Sequence, residues 1–177
     1  SFNFNSSTSM MDYDNHSIYL KKDTELNKKY FLPYVNAQIR YKLDRSKYLT
    51  LKYDYDNKLP TPVQIIPVAN LSNPLVTFIG NPELDPNSTH TGSLNFNNYN
   101  FRERSGYNLY IKTNFFENEI VSTSVFDANG KKTTSYVNVK NTHSTSIGGN
   151  WNQYIKKEVH VFRYGINFNA NLSFDKG

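Results

Sequence analysis

Residues 162–174 read Phe162-Arg163-Tyr164-Gly165-Ile166-Asn167-Phe168-Asn169-Ala170-Asn171-Leu172-Ser173-Phe174. Every even position is apolar or aromatic, and every odd position is polar or glycine. Successive side chains of a strand point to opposite faces, so this stretch has one greasy face and one wet face. A strand of about 9–11 residues with this alternation is long enough to cross a bilayer.

The same pattern recurs toward the N-terminus, and seven strands can be drawn. They cover about 1–14, 31–43, 47–56, 88–101, 107–126, 132–154 and the final stretch. In the second, Val35, Ala37, Ile39, Tyr41 and Leu43 oppose Asn36, Gln38, Arg40 and Lys42. In the third, Leu49, Leu51, Tyr53 and Tyr55 oppose Thr50, Lys52, Asp54 and Asp56. The fourth changes parity at Asn97-Asn98, which predicts a β-bulge. Gly148-Gly149 in the sixth predicts a strand kink. No stretch favours a helix; Lys21 to Tyr30 is the best candidate but has no apolar stripe.

The links alternate in length. Residues 44–46, 102–105 and 156–158 are short, whereas 15–30 and 57–87 are long and 127–130 carries turn residues. Tight turns at one end and larger loops at the other are a membrane-barrel trait. The fold class expected is therefore all-β: an antiparallel transmembrane β-barrel segment of about seven up-and-down strands.

Composition agrees. Hydrophobic residues make up 37% of the 177, with 14 Tyr, 12 Phe and 25 Asn, a mix that starves a buried core but suits a two-faced wall. No apolar run is long enough for a transmembrane helix. Residues 1–5 show neither the basic nor the apolar region of a signal peptide. The absence of cysteine excludes disulfide, thiolate and Cys-metal chemistry. The net charge of +5 comes from scattered lysines, so loop solvation is expected and nucleic acid is not a predicted partner.

Residues 58–90 carry a second signal. Thr61-Pro62, Pro67-Val68, Asn73-Pro74-Leu75 and Gly80-Asn81-Pro82-Glu83-Leu84-Asp85-Pro86 lead into Ser88 and His90. Prolines fix φ and remove amide donors, so this is a stiff folded-back loop, with Gly80 placed for a sharp turn. The segment resembles the outer-membrane β-barrel family of TonB-dependent-receptor-like proteins of Gram-negative bacteria. In that family a Gly-Asn-Pro-x-Leu-x-Pro run sits on the outer side and leads into the next strand. The resemblance carries over Gly80, Asn81, Pro82, Leu84 and Pro86. Asn87 stands where an acidic residue is often found.

The resemblance implies a 22-stranded barrel in the outer membrane, an N-terminal plug and nutrient import driven by TonB. Residues 1–177 would then be an interior part of a single barrel domain, without the plug or N-terminal domains. The implied partners are outer-membrane lipid, the rest of the barrel and plug, TonB through a missing N-terminal part, and a surface lipoprotein. Neither catalysis nor a cofactor is expected: no Ser-His-Asp order, nucleophile elbow or phosphate loop appears. The lumen-facing set on this reading is Gln38, Arg40, Lys42, Lys52, Asp54, Asn108, Lys112, Asn167 and Asn169. Tyr53 and Tyr55 at the outer end, with Tyr41 and Trp151 near the short turns, are candidate interfacial aromatics. Asp-Tyr-Asp-Asn occurs twice, making Asp12, Asp14, Asp54 and Asp56 weak Ca²⁺ candidates; the alternative is a polar strand ending at water. Two other architectures stay open: a soluble β-sandwich, such as a carbohydrate-binding or adhesin-like module, and a small complete outer-membrane barrel.

Overall fold

A computed structural model of the chain describes residues 1–19, 22–67, 70–73 and 75–174. Seven strands form one antiparallel sheet: β1 (Phe2–Tyr19), β2 (Lys22–Lys42), β3 (Lys47–Lys58), β6 (Asn87–Asn100), β7 (Ser105–Phe116), β10 (Thr142–Lys157) and β11 (His160–Phe174), in that spatial order. The sheet is open, with β1 and β11 at its two edges. A second, four-stranded sheet orders β4 (Asn70–Asn73), β5 (Val76–Phe78), β9 (Lys132–Val139) and β8 (Glu119–Phe126).

The registers show why the alternation matters. Phe2, Ile39, Leu51, Leu94, Ile111, Ile147 and Ala170 are cross-strand partners in one unbroken row over all seven strands. Pairs directly opposite share a face, so seven apolar side chains form a belt. Ile39, Leu51, Leu94, Ile111 and Ile147 are each 40–50% exposed, because the small sheet does not pack over them. A β-sandwich would cover this face with a second layer. Among the described residues no such layer exists, which removes the sandwich alternative.

Aromatic rings border the belt. On one side, Tyr55, His90, Phe115, His143 and Phe174 form a single row across five strands. His143 stacks between Phe115 and Phe174, with centroids 6.0 and 4.6 Å away. On the other side, Tyr107 and Trp151 are partners, and Trp151 meets Tyr164 edge-on at 5.4 Å. The two borders are eight residues apart along β3, from Tyr55 to Lys47. That is about 27 Å along the strand and about 20 Å along the normal at a barrel tilt of 35–45°. The height approaches the ~25 Å apolar band of outer-membrane barrels.

The structure differs from the sequence reading in five places. The register runs evenly through Asn97 and Asn98 against both β3 and β7, so there is no bulge. Tyr99 simply follows the strand onto the polar face. Likewise β10 runs evenly through Gly148-Gly149 without a kink. A Cβ at Gly148 would lie 2.6 Å from the Tyr110 hydroxyl, and one at Gly149 would lie 2.7 Å from Leu109 Cδ2 and 2.9 Å from Phe168 Cε1. These glycines make room for neighbouring side chains on each face.

The stretches 107–126 and 132–154 each split in two. The chain leaves the large sheet after Phe116 and returns at Thr142, residues paired across β7 and β10. Finally, residues 15–30 are a continuation of the β1–β2 hairpin, paired as far as Tyr19↔Lys22. One helical turn, α1 (Pro62–Ile65), also appears, with Thr61 and Gln64 forming a capping box.

The short turns, including the two-residue Glu158-Val159 link, lie at one end of the sheet. The extended hairpin and both excursions, 59–86 and 117–141, lie at the other. The buried core also sits there: Ile65 and Leu84, at 1% and 0% exposure, are the largest fully buried side chains among the described residues. Among the described residues the packed core belongs to the loops, with Tyr30 of β2 the one buried hydrophobic that a wall strand contributes.

Candidate functional site: the polar wall and its loop clamp

The face opposite the belt is polar over every strand. One row reads Asn3, Gln38, Lys52, Ser93, Lys112, Ser146, Asn171. A second reads Lys42, Tyr48, Asn97, Asn108, Asn150, Asn167, and a third runs from Arg40 through Asn95, Tyr110 and Gly148 to Asn169. Gln38, Arg40, Lys42, Lys52, Asp54, Asn108, Lys112, Asn167 and Asn169 therefore all share this face.

Hydrogen bonds between side chains tie the rows together. Asn108 Nδ2 donates to Asn95 Oδ1 at 2.7 Å and to Asn97 Oδ1 at 2.8 Å. Thr91 donates to Asn114 at 2.9 Å, and Asn114 donates to Ser144 at 3.2 Å. Asn36 donates to Asp54, the one carboxylate set among these central rows. Against it stand Arg40, Lys42, Lys52 and Lys112, so the wall is basic. A shallow hollow of about 360 Å³ opens between Lys52 and Lys112 over Ser93.

The Gly-Asn-Pro run clamps the outer end of this wall. Asn81 is its hub: its amide N–H donates to the Gln64 carbonyl at 2.7 Å, and its Nδ2 donates to the Tyr136 carbonyl at 2.9 Å. Its Oδ1 accepts from Glu83 N at 2.9 Å, and its carbonyl accepts from Leu84 N at 3.3 Å, closing a turn with Pro82 second. Leu84 is driven into the core beside this turn, and Pro86 stops just before β6. Gly80 is needed for proximity, since its φ is not positive: a Cβ there would collide with the Ile66 carbonyl. Asp85 and Asn138 bond reciprocally, at 2.8 Å from Asp85 N to Oδ1 and 3.1 Å from Nδ2 to Asp85 O. Nothing in the sequence announces Asn138, which lies 53 residues away.

The clamp reaches the polar face of β2. Lys28 Nζ donates to the Leu84 carbonyl at 3.1 Å and sits 5.7 Å from the Tyr30 ring. Tyr30 lies beyond the aromatic border, outside the membrane-spanning rows. Its hydroxyl is buried without a hydrogen-bond partner among the described groups. Burial, then the negative charge of Asp85 and the neighbouring Tyr13, push its pKa up. Native Tyr30 thus holds its proton to higher pH than the unfolded chain. The associated stability is complete below the ordinary tyrosine range and is lost as pH climbs through the raised value. Tyr30→Phe removes an unsatisfied buried hydroxyl and should be neutral or stabilising by up to about 1 kcal/mol in urea unfolding at pH 7. It should also flatten part of the alkaline loss.

The Ca²⁺ candidates do not converge. Asp12 and Asp14 sit on the belt side of β1, and Asp12 pairs with Lys29 at 3.6 Å. Asp54 and Asp56 sit on the polar side of β3. No group of three His, Asp or Glu suited to a metal occurs among the described residues. The interfacial aromatics fall on the belt side: Tyr53 bonds His90 Nδ1 at 2.8 Å, and His90 Nε2 meets Glu117 at 3.1 Å.

Known proteins show the same architecture. The chain is similar to the siderophore receptor PirA from Pseudomonas aeruginosa in its crystal structure. The TM-score is 0.58 and the identity 16%, over 94% of this chain and 32% of that one. At this identity the likeness speaks for the fold alone, and the chain spans about a third of that receptor's length. No curated protein matches the sequence. A family model described as the outer membrane protein beta-barrel family matches residues 8–176. With a lipid-facing belt, a hydrogen-bonded polar wall and a family match over almost its whole length, this chain belongs to the outer membrane protein β-barrel family and resides in the outer membrane.

Proposed function

We propose that the chain is wall from a TonB-dependent-type receptor that imports a nutrient across the outer membrane of a Gram-negative cell, and that it catalyses no reaction. The supporting observation is the seven-strand polar face, unbroken from β1 to β11 and rich in amides and cations. A barrel that only anchors itself in lipid has no need of such a lining, whereas a conduit for a polar solute does. The likeness to a siderophore receptor supports the same reading. On it the polar face is lumen, the short turns are periplasmic and the Asn81 clamp sits at the outer mouth. The remaining barrel, a plug, TonB and a surface lipoprotein are the partners it requires.

Deleting the gene should abolish growth on one limiting nutrient class, and deleting TonB in the parent strain should produce the same defect. Growth that needs this protein but ignores TonB would sink the energised-import part of the proposal.

A further inference from the structure

We infer that Arg104, Tyr154 and Arg163 form an oxyanion-binding site on the polar face at the short-turn end of the wall. The ligand class is a carboxylate or phosphate group. The inference rests on the import reading, where this end of the lumen is the exit, and it assigns that exit a ligand chemistry.

Tyr154 and Arg163 are direct cross-strand partners on β10 and β11. One step further along the wall, Asn152 pairs with Gly106 on one side and Gly165 on the other. Arg104 precedes Gly106 by two residues, so it faces Tyr154 from the β7 side. The guanidinium carbon of Arg104 lies 5.0 Å from the Tyr154 ring centroid, and that of Arg163 lies 5.5 Å from it. One ring thus holds two cations, one from the β6–β7 turn and one from β11.

The turn that delivers Arg104 is built for it. Asn100 Oδ1 accepts from the backbone N–H groups of Arg102 and Glu103 at 3.0 and 3.3 Å, and Arg104 adopts a φ of +48°. A non-glycine residue in that region carries a strain cost that the turn must offset.

Neither arginine has a carboxylate partner among the described residues. The ion pairs among the described residues are Lys29–Asp12 and His90–Glu117, both at the opposite end. A guanidinium resting on an aromatic ring keeps its N–H fork free, and that fork matches the two oxygens of a carboxylate or phosphate. Space for the ligand is present. Gly165 supplies no side chain beside Asn152, and a hollow of about 460 Å³ opens among Tyr99, Arg104, Asn152, Tyr154 and Arg163. Asn152 adds a neutral amide to its lining.

The probes are citrate and inorganic phosphate, titrated calorimetrically into the intact protein in detergent, with glucose as the neutral control. Arg163→Gln and Arg104→Gln are each expected to weaken anion binding about tenfold or more, since each removes a charge-assisted hydrogen-bond pair. Lys58→Gln removes the same charge from the same face at the outer end of β3, roughly 40 Å or more along the wall. At 0.15 M salt it should change affinity less than about twofold. Heat-modified gel mobility reports whether each variant has folded.

The oxyanion can come from a solute or from a side chain of the protein itself. No anion binding in the wild type, with a melting temperature lowered by Arg104→Gln and Arg163→Gln but not by Lys58→Gln, identifies the protein's own carboxylate. If both arginine variants match the wild type in anion affinity and in melting temperature, the site is overturned. TonB-dependent growth is read separately, so flat titrations with unchanged melting temperatures beside intact TonB dependence would reject this site and leave the import reading standing.

Discussion

Ile111→Arg is expected to cost the folded protein about 2–4 kcal/mol in lipid, the largest effect of any single change in the wall. Ile111 sits in the middle of the belt, flanked by Leu94 and Ile147. A guanidinium there meets hydrocarbon on every side, four residues along β7 from either aromatic border. Ser93→Arg is the matched control: Ser93 is next to Leu94 in sequence but faces Lys52 and Lys112 on the wet side. Its cost should stay below about 1 kcal/mol, mostly repulsion from those two cations screened by water. Reversible urea unfolding of the intact protein in vesicles measures both. Equal costs would mean that the two faces do not see different solvents.

The second large effect falls on the clamp. Leu84→Ala should cost about 2–5 kcal/mol of local stability, because a fully buried leucine leaves a cavity that a proline-stiffened loop closes poorly. Gly80→Ala should act in the same direction by driving a methyl into the Ile66 carbonyl. Hydrogen exchange reads this directly. Amides of 59–86 and of β8 and β9 should lose protection together, since Asn81 and Asp85 bond Tyr136 and Asn138. The ladders of β3, β6 and β7 should keep theirs. Uniform loss through the barrel strands would show that the clamp is part of the wall's own stability.

The wall was legible in the sequence because parity is a property of each strand alone. Once Phe162 to Phe174 alternates, the two faces are assigned, and Lys52 and Asn108 go to the wet side with Asn167 by the same rule. What parity cannot see is where a chain stays regular while leaving the sheet. The departure after β7 is marked by adjacent Phe115 and Phe116, which break the alternation. The return before β10 is marked by Asn141 at φ +64°. Both signals are local and read equally well as a continuing strand. At Asn97-Asn98 the converse holds: the residue type changes while the geometry does not, and Tyr99 simply faces the wet side.

The clamp was half legible. Its prolines announced a stiff loop, but Leu84 and Asn81 acquire their roles from Ile65, Tyr136 and Asn138, and those contacts exist only after folding. The Arg104–Tyr154–Arg163 cluster was not legible at all. It depends on the register that sets the β6–β7 turn beside the end of β10.

Hydrocarbon covers one face of this sheet and water the other. These 177 residues contain no cysteine, so spin labels can be placed at single cysteines from Leu109 to Asn114 in the intact protein in bilayers. Collision with oxygen should peak at 109, 111 and 113, and collision with a water-soluble nickel chelate should peak at 110, 112 and 114, a strict period of two. Low accessibility to both reagents at 109, 111 and 113 would place protein, not lipid, over the belt.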